Sequence, residues 1–203
     1  MITDLMDQLM NELQIIRSPL LPYFQPGVSR DIVDDLLVKN NVELKLPDEV
    51  YELYQWRNGL IDDAISSKSS GEVQLFKLAV FTSVQFSIKN YQGPDLRDWG
   101  VSEKLFPLFD SLVGDFYLID TDKTSDTYKM IMYYSPSNPY FQDAVSIFDS
   151  LESCLLTVGE CYRQSAYYYP SGSPYFEINP KLEVSIWKKN NPNSEYFKIL
   201  ANS

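Results

Sequence analysis

Histidine is absent from the 203 residues of this chain. That alone excludes every Ser-His, Cys-His and His-metal arrangement. Cysteine occurs twice, at Cys154 and Cys161. Seven residues of helix rise about 10 Å, beyond the roughly 7 Å a disulfide allows between Cα atoms. The two thiols therefore share a helix face as small core residues, and with no histidine beside them they are too few for a metal site. Glycine is scarce at 8 residues, and none of its positions approaches a phosphate-binding loop or a dinucleotide fingerprint. No apolar run nears the roughly 20 residues needed to span a bilayer. Basic residues are also in deficit, 17 against 28 acidic, for a net charge of −11. Nucleic acids and anionic membranes reward clustered Lys and Arg, so neither is expected as a partner. The opening residues Met1-Ile2-Thr3-Asp4-Leu5-Met6-Asp7 lack the basic region and long apolar core of a signal peptide. A cytoplasmic protein is expected.

Hydrophobic residues make up 44% of the chain and aromatics 14%, enough for a real core and too much for disorder. The length fits one domain with a substantial addition. The negative charge suits a basic protein partner, which it would steer and hold, and equally suits simple solubility.

A first helix is expected over residues 3–17, capped by Thr3, with Leu5, Leu9, Leu13 and Ile16 at helical spacing. Ser18-Pro19-Leu20-Leu21-Pro22 breaks it. Ser29 caps a second helix to about Lys39, with Ile32, Val33, Leu36 and Leu37 facing inward. The most sharply punctuated helix follows. Pro47 suits its first position, Asp48 and Glu49 complement the dipole, and Val50, Leu53, Tyr54 and Trp56 form an apolar face. Asn58-Gly59 would end it. Residues 62–71 are polar and read as an exposed loop, and residues 72–80 as a strand. Ser83 caps a helix to about Tyr91, stopped by Gly93-Pro94. A meander of short strands is expected over residues 105–109, 114–120, 128–134 and 144–148, with Pro107 marking an edge or a strand start. Ser135-Pro136-Ser137-Asn138-Pro139 reads as a loop between the last two. Asp149-Ser150-Leu151-Glu152 resembles a capping box opening a helix through Leu151, Leu155, Val158 and Tyr162. Tyr167-Tyr168-Tyr169-Pro170 begins a turn-rich linker, Asn179-Pro180 opens a further helix, and the tail adds one more helical turn. This order gives an α+β fold, a twisted and largely antiparallel sheet flanked by helices. It divides into an N-terminal helix and connector (1–28), an α+β domain (29–169) and a C-terminal helical extension (170–203).

Carboxylates are the remaining candidates for chemistry. Asp110, Asp115, Asp120 and Asp122 bracket the strand pair. Asp115 and Asp120 are five apart, so their side chains would point to opposite faces of a strand. Asp120-Thr121-Asp122 lacks the glycine and distal glutamate of a calcium loop. Turn-starting aspartates at strand ends account for all of them. An enzyme would instead need two carboxylates converging within about 10 Å in a pocket. Trp56, Trp99 and Tyr117 could line a partner groove, Trp and Tyr being enriched in hot spots, but core packing is the commoner use of such rings and is the reading favoured for each.

Three motifs in order carry a resemblance. Leu46-Pro47-x-x-Val50-x-x-Leu53-Tyr54-x-x-x-Asn58-Gly59 resembles the signature helix of the SUKH superfamily, the Smi/Knr-type regulators of cell-wall assembly and the bacterial immunity proteins. Phe106-Pro107-Leu108-Phe109 followed by Gly114-Asp115-x-Tyr117-x-Ile119-Asp120 is similar to its second landmark. Phe148-x-Ser150-Leu151-x-x-Cys154-Leu155 is similar to its closing helix. The Asp110–Val113 connection departs from the family's glycine-rich turn. The resemblance implies a non-enzymatic protein-binding domain without cofactors or metal. In bacteria such a domain often neutralises a toxin, commonly a nuclease or deaminase, by occluding it. The alternative is a regulatory scaffold for cell-wall or signalling control. The expected partner-binding residues are Asp62, Asp63, Asp115, Tyr117, Asp120 and Asp122.

Overall fold

The fold is taken from a computed structural model that describes residues 1–138 and 143–202. Helix α1 (Ile2–Ile15) buries Ile2, Met6, Leu9 and Leu13. Met1, not Thr3, occupies its cap position. Strand β1 (Phe24–Pro26) leads to α2 (Arg30–Lys39), where the Ser29 hydroxyl accepts the Ile32 amide as expected. Val33 and Leu37 face the core, while Ile32, about 100° around the helix from Val33, is exposed.

Helix α3 (Asp48–Trp56) buries Val50, Tyr51, Leu53 and Tyr54. It ends before Asn58-Gly59, which belong to β2 (Arg57–Leu60), paired with β1. The two residues are a joint, not a helix stop. Asn58 Oδ1 accepts the Val84 amide at 2.9 Å. Gly59 has φ +69°, and a Cβ there would lie 2.4 Å from the Thr82 carbonyl carbon.

The expected loop at residues 62–71 is helical: α4 (Asp62–Ser67) and α5 (Ser70–Val73). Asp62 and Asp63 sit at the dipole-favoured first turn, Ala64 and Ile65 are buried, and Ser69 with Glu72 forms a capping box. The expected strand over 72–80 shrinks to β3 (Val80–Phe81), because a tight turn bridging Phe76 and Ala79 precedes it. Helices α6 (Val84–Gln92), capped by Ser83, and α7 (Pro94–Arg97) follow.

The meander is present as β4 (Leu105–Asp110), β5 (Phe116–Asp120), β6 (Ile131–Tyr134) and β7 (Val145–Phe148). With β3 it makes a five-stranded antiparallel sheet in the order β3-β4-β5-β6-β7. Pro107 stands beyond the reach of β3, whose register covers only Phe109 and Asp110, and beside a bulge in the β4–β5 ladder. A missing N–H is tolerated there. Pro139, expected in the β6–β7 loop, lies outside the described residues.

Helix α8 (Leu151–Arg163) is capped by Ser150, with Ser153 rather than Glu152 completing the box. Strands β8 (Tyr167–Tyr168) and β9 (Glu177–Ile178) form a small hairpin, followed by α9 (Pro180–Asn190) and α10 (Glu195–Asn202).

One sheet face packs against helices around an aromatic centre. The Phe76 ring lies 5.0 Å from those of Phe109 and Tyr117, and Trp187 of α9 closes on Phe148 at 4.6 Å. Helix α1 contributes to the same core and packs on α3 and α8. The opposite face is covered differently, and it holds the candidate site.

Candidate functional site

Alternation along β5 sends Tyr117 and Ile119 to the main core and Phe116 and Leu118 to the other side. Leu105, Met132 and Tyr134 join them there, and among the described residues Leu96 and Val101, from α7 and the turn after it, complete the buried part of this second cluster, with Met130 and Ala144 packed against it. Gly100 at φ +74° turns the chain back so that the Val101 amide reaches the Leu96 carbonyl. That turn leaves Trp99 outside, 67% exposed.

Asp143 lines the same cleft as Trp99, Asp98 precedes Trp99 in the chain and Asp95 lies four residues before it on α7; all three are exposed. Among the described residues, none of the three forms an ion pair. Trp99, Val101, Leu105, Tyr134 and Asp143 share a cleft of about 220 Å³. Burial raises the Tyr134 hydroxyl above its ordinary pKa, and the carboxylates of Asp143 and Asp95 add to the shift. The cleft thus carries a negative field around an aromatic wall.

At one end of this face is the β4–β5 hairpin. Asp110 is 5% exposed; its Oδ1 accepts the Leu112 amide and its Oδ2 accepts Asn90, each at 2.6 Å. Burial pushes its carboxyl up, with help from Asp95 and Asp115. Asp95 and Asp110 therefore converge on one hollow, but Asp110 is tied down on both oxygens in the manner of a structural brace.

The six residues expected to bind a partner do not form one patch. Asp62 and Asp63 are exposed on α4, next to the β1–β2 pair. Asp115 is 8% exposed beside the hairpin, where it adds to the raised pKa of Tyr133. Tyr117 is 1% exposed, and its hydroxyl donates to the Lys77 carbonyl at 2.7 Å. Asp120 and Asp122 are adjacent and shape the β5–β6 turn. Asp120 accepts the Asp122 amide and the Thr127 hydroxyl, and Asp122 accepts the Thr124 amide and hydroxyl. Those hydroxyl and amide bonds hold the Asp122 carboxyl below its ordinary pKa.

Sequence reasoning singled out Trp99 but favoured the core over a partner groove for it, which its 67% exposure overturns, and passed over Asp95, Asp98 and Asp143. The available signal was local. Asp95-Leu96-Arg97-Asp98-Trp99-Gly100 surrounds the tryptophan with charge, and Leu96 is the one other apolar residue among them.

Both cysteines are buried and free, and burial pushes the Cys161 thiol up to about 12 and raises that of Cys154 well above its ordinary value. Neither is a poised nucleophile. Among the described residues no three His, Cys, Asp or Glu side chains are placed to hold a metal ion, and no helix is long and apolar enough to cross a membrane.

The chain matches the model of the SMI1 / KNR4 family (SUKH-1) over residues 37–156. That is more than half of its length, and the chain belongs to this family. No curated protein matches it. The matched region holds the whole five-stranded sheet and the outer-face cleft, whereas α1, α9 and α10 lie outside it. Family membership makes this an immunity or regulatory type of domain, a class that is generally non-enzymatic and works through protein–protein contact.

Proposed function

We propose that this chain is a cytoplasmic, non-enzymatic binding protein of the immunity type, which neutralises a basic toxin, a nuclease or deaminase, by covering it with the outer face of its sheet. The observation that carries the reading is the exposed Trp99 with Asp143 in its cleft and Asp95 and Asp98 close by in the chain, carboxylates that form no ion pair among the described residues. Tryptophan on a surface has the chemistry of an interface hot spot. Unpaired carboxylates beside it are matched by a basic partner, and the −11 net charge would speed the encounter. The 29–169 unit carries this face; the segments 1–28 and 170–203 contribute helices to its core. Asp62, Asp63, Asp120 and Asp122 would widen the field without touching the cleft.

The test is capture of the partner by tagged protein at low and at high salt, followed by assay of the captured protein for nuclease or deaminase activity. A basic partner released by salt and silenced by wild type, but not by an Asp95→Asn, Asp98→Asn, Asp143→Asn triple variant, is the expected result. A partner from cell-wall or signalling machinery would place the protein with the regulators. A silenced partner held equally well by the triple variant would move the binding face elsewhere.

A further inference from the structure

The cleft beside Trp99 is too small for a cofactor or metabolite. Its 220 Å³ falls below the roughly 300 Å³ at which small-molecule sites begin, but one long side chain fits. Its chemistry narrows which. The indole of Trp99 is open to solvent and the Tyr134 ring is buried, so one aromatic wall is free to stack and the other is fixed. Val101 and Leu105 make an apolar floor, and Asp143 is the one charged group among the described lining residues. The chain's own nearby guanidinium, that of Arg97, is turned to another groove, with its Nε and Nη2 buried and finding no hydrogen-bond partner among the described residues. Arg97 lies over the Tyr91 ring at 4.6 Å, donates to the Val101 carbonyl, and faces the neighbouring groove with Glu43 and Glu103.

We propose that this cleft is an arginine anchor, taking one guanidinium side chain of the partner protein between the Trp99 indole and the Asp143 carboxylate. The inference rests on the reading of the outer face as the partner-binding surface and specifies what the partner must present there. A planar, weakly hydrated guanidinium stacks on indole and pairs with carboxylate at once, while a lysine ammonium is a strongly hydrated point charge. The three-carbon stem of arginine would cover the apolar floor. A second copy of this chain is a poor occupant, because two molecules of net charge −11 repel.

The experiment is a titration of the full-length, ¹⁵N-labelled protein with a blocked tetra-arginine peptide, following the three tryptophan indole N–H resonances and the Gly100 amide. The expected result is a saturating shift of Trp99 and Gly100, with Trp56 and Trp187 unmoved. Asp143→Asn should weaken binding about fivefold or more, as should Trp99→Ala read on Gly100, whereas Asp62→Asn should leave it unchanged. Blocked tetralysine, of the same charge, should bind about fivefold or more weakly. Peptide binding that shifts other carboxylate-bearing regions while Trp99 and Gly100 stay still overturns the anchor and leaves the acidic-face reading standing. Equal response to tetralysine overturns the assignment to arginine. No shift anywhere at millimolar peptide overturns both.

Discussion

At the scale of residues, the most consequential polar group outside the candidate site is Glu183. It is 1% exposed on α9, accepts the Tyr167 hydroxyl at 2.9 Å and meets Lys77 Nζ at 3.3 Å, while the Tyr167 oxygen accepts the Trp187 indole N–H at 3.0 Å. Tyr167→Phe removes one hydroxyl and strands two buried partners. A loss of about 2–3 kcal/mol in urea unfolding is expected, the cost of leaving a buried carboxylate and an indole N–H under-satisfied. Burial raises the Glu183 carboxyl above its ordinary value near 4.5, outweighing the opposing pull of Lys77 and Tyr167. A raised acid favours the folded state when protonated, so its contribution is full below the unfolded pKa and is lost as pH rises through the folded one. Glu183→Gln cannot ionise. The stability of wild type relative to this variant should therefore fall from about pH 4.5 upward and level off above the folded pKa, measured as urea midpoints across pH. A difference that does not change with pH would show that Glu183 titrates as in the unfolded chain.

At the scale of elements, β2 and α6 are held together by two residues that look like a helix terminus in the sequence. Asn58 satisfies the first amide of α6, and Gly59 lets the β2 backbone touch Thr82. Gly59→Ala adds a methyl group 2.4 Å from a carbonyl carbon at a φ of +69°. Since the obstacle is backbone, it cannot rotate aside. A destabilisation of at least about 2 kcal/mol is expected by chemical denaturation. A near-neutral Gly59→Ala would mean that β2 and Thr82 can separate without cost. The caps of α2, α6 and α9 were legible in advance because Ser29, Ser83 and Asn179 act on their own helices over three residues. The joint at Asn58-Gly59 was not, because its partner lies more than twenty residues downstream. The helices α4 and α5 were missed for a related reason. Their polar composition reads as loop until Ala64, Ile65 and Val73 are seen to be buried.

At the scale of the molecule, the helices at the two ends of the chain belong to one core with the sheet. Leu9 and Leu13 of α1, and Ile186 and Trp187 of α9, share the main cluster with Phe76, Tyr117 and Phe148. A fragment of residues 29–169 would open the faces of α3 and α8 that α1 covers, and bare the Phe148 ring that Trp187 covers. Such a fragment is expected to lose cooperative unfolding and to bind a hydrophobic dye, the behaviour of a collapsed chain without fixed packing. Sharp, dispersed NMR resonances from the fragment would show that the central unit stands alone. The charge distribution is also a property of the whole. Seven ion pairs tie carboxylates to cations or the N-terminus among the described residues, and Asp95, Asp98 and Asp143 are among the many carboxylates outside them.

By itself the sequence determined whatever depends on near neighbours. Missing histidine closed off the catalytic arrangements that need it, three motifs in order pointed to the family, and alternating apolar runs fixed the meander and its α+β class. Tertiary structure decided what depends on distant ones. It sent Tyr117 inward because the other side of β5 belongs to a second cluster, and it turned Asp120 and Asp122 to their own turn because amides and hydroxyls were within reach. It also left Trp99 in water, where Gly100 folds Val101 back onto Leu96 and the indole stays outside that turn. Side-chain exposure is set by what else in the chain arrives at the same surface, and no spacing rule within a short window contains that information.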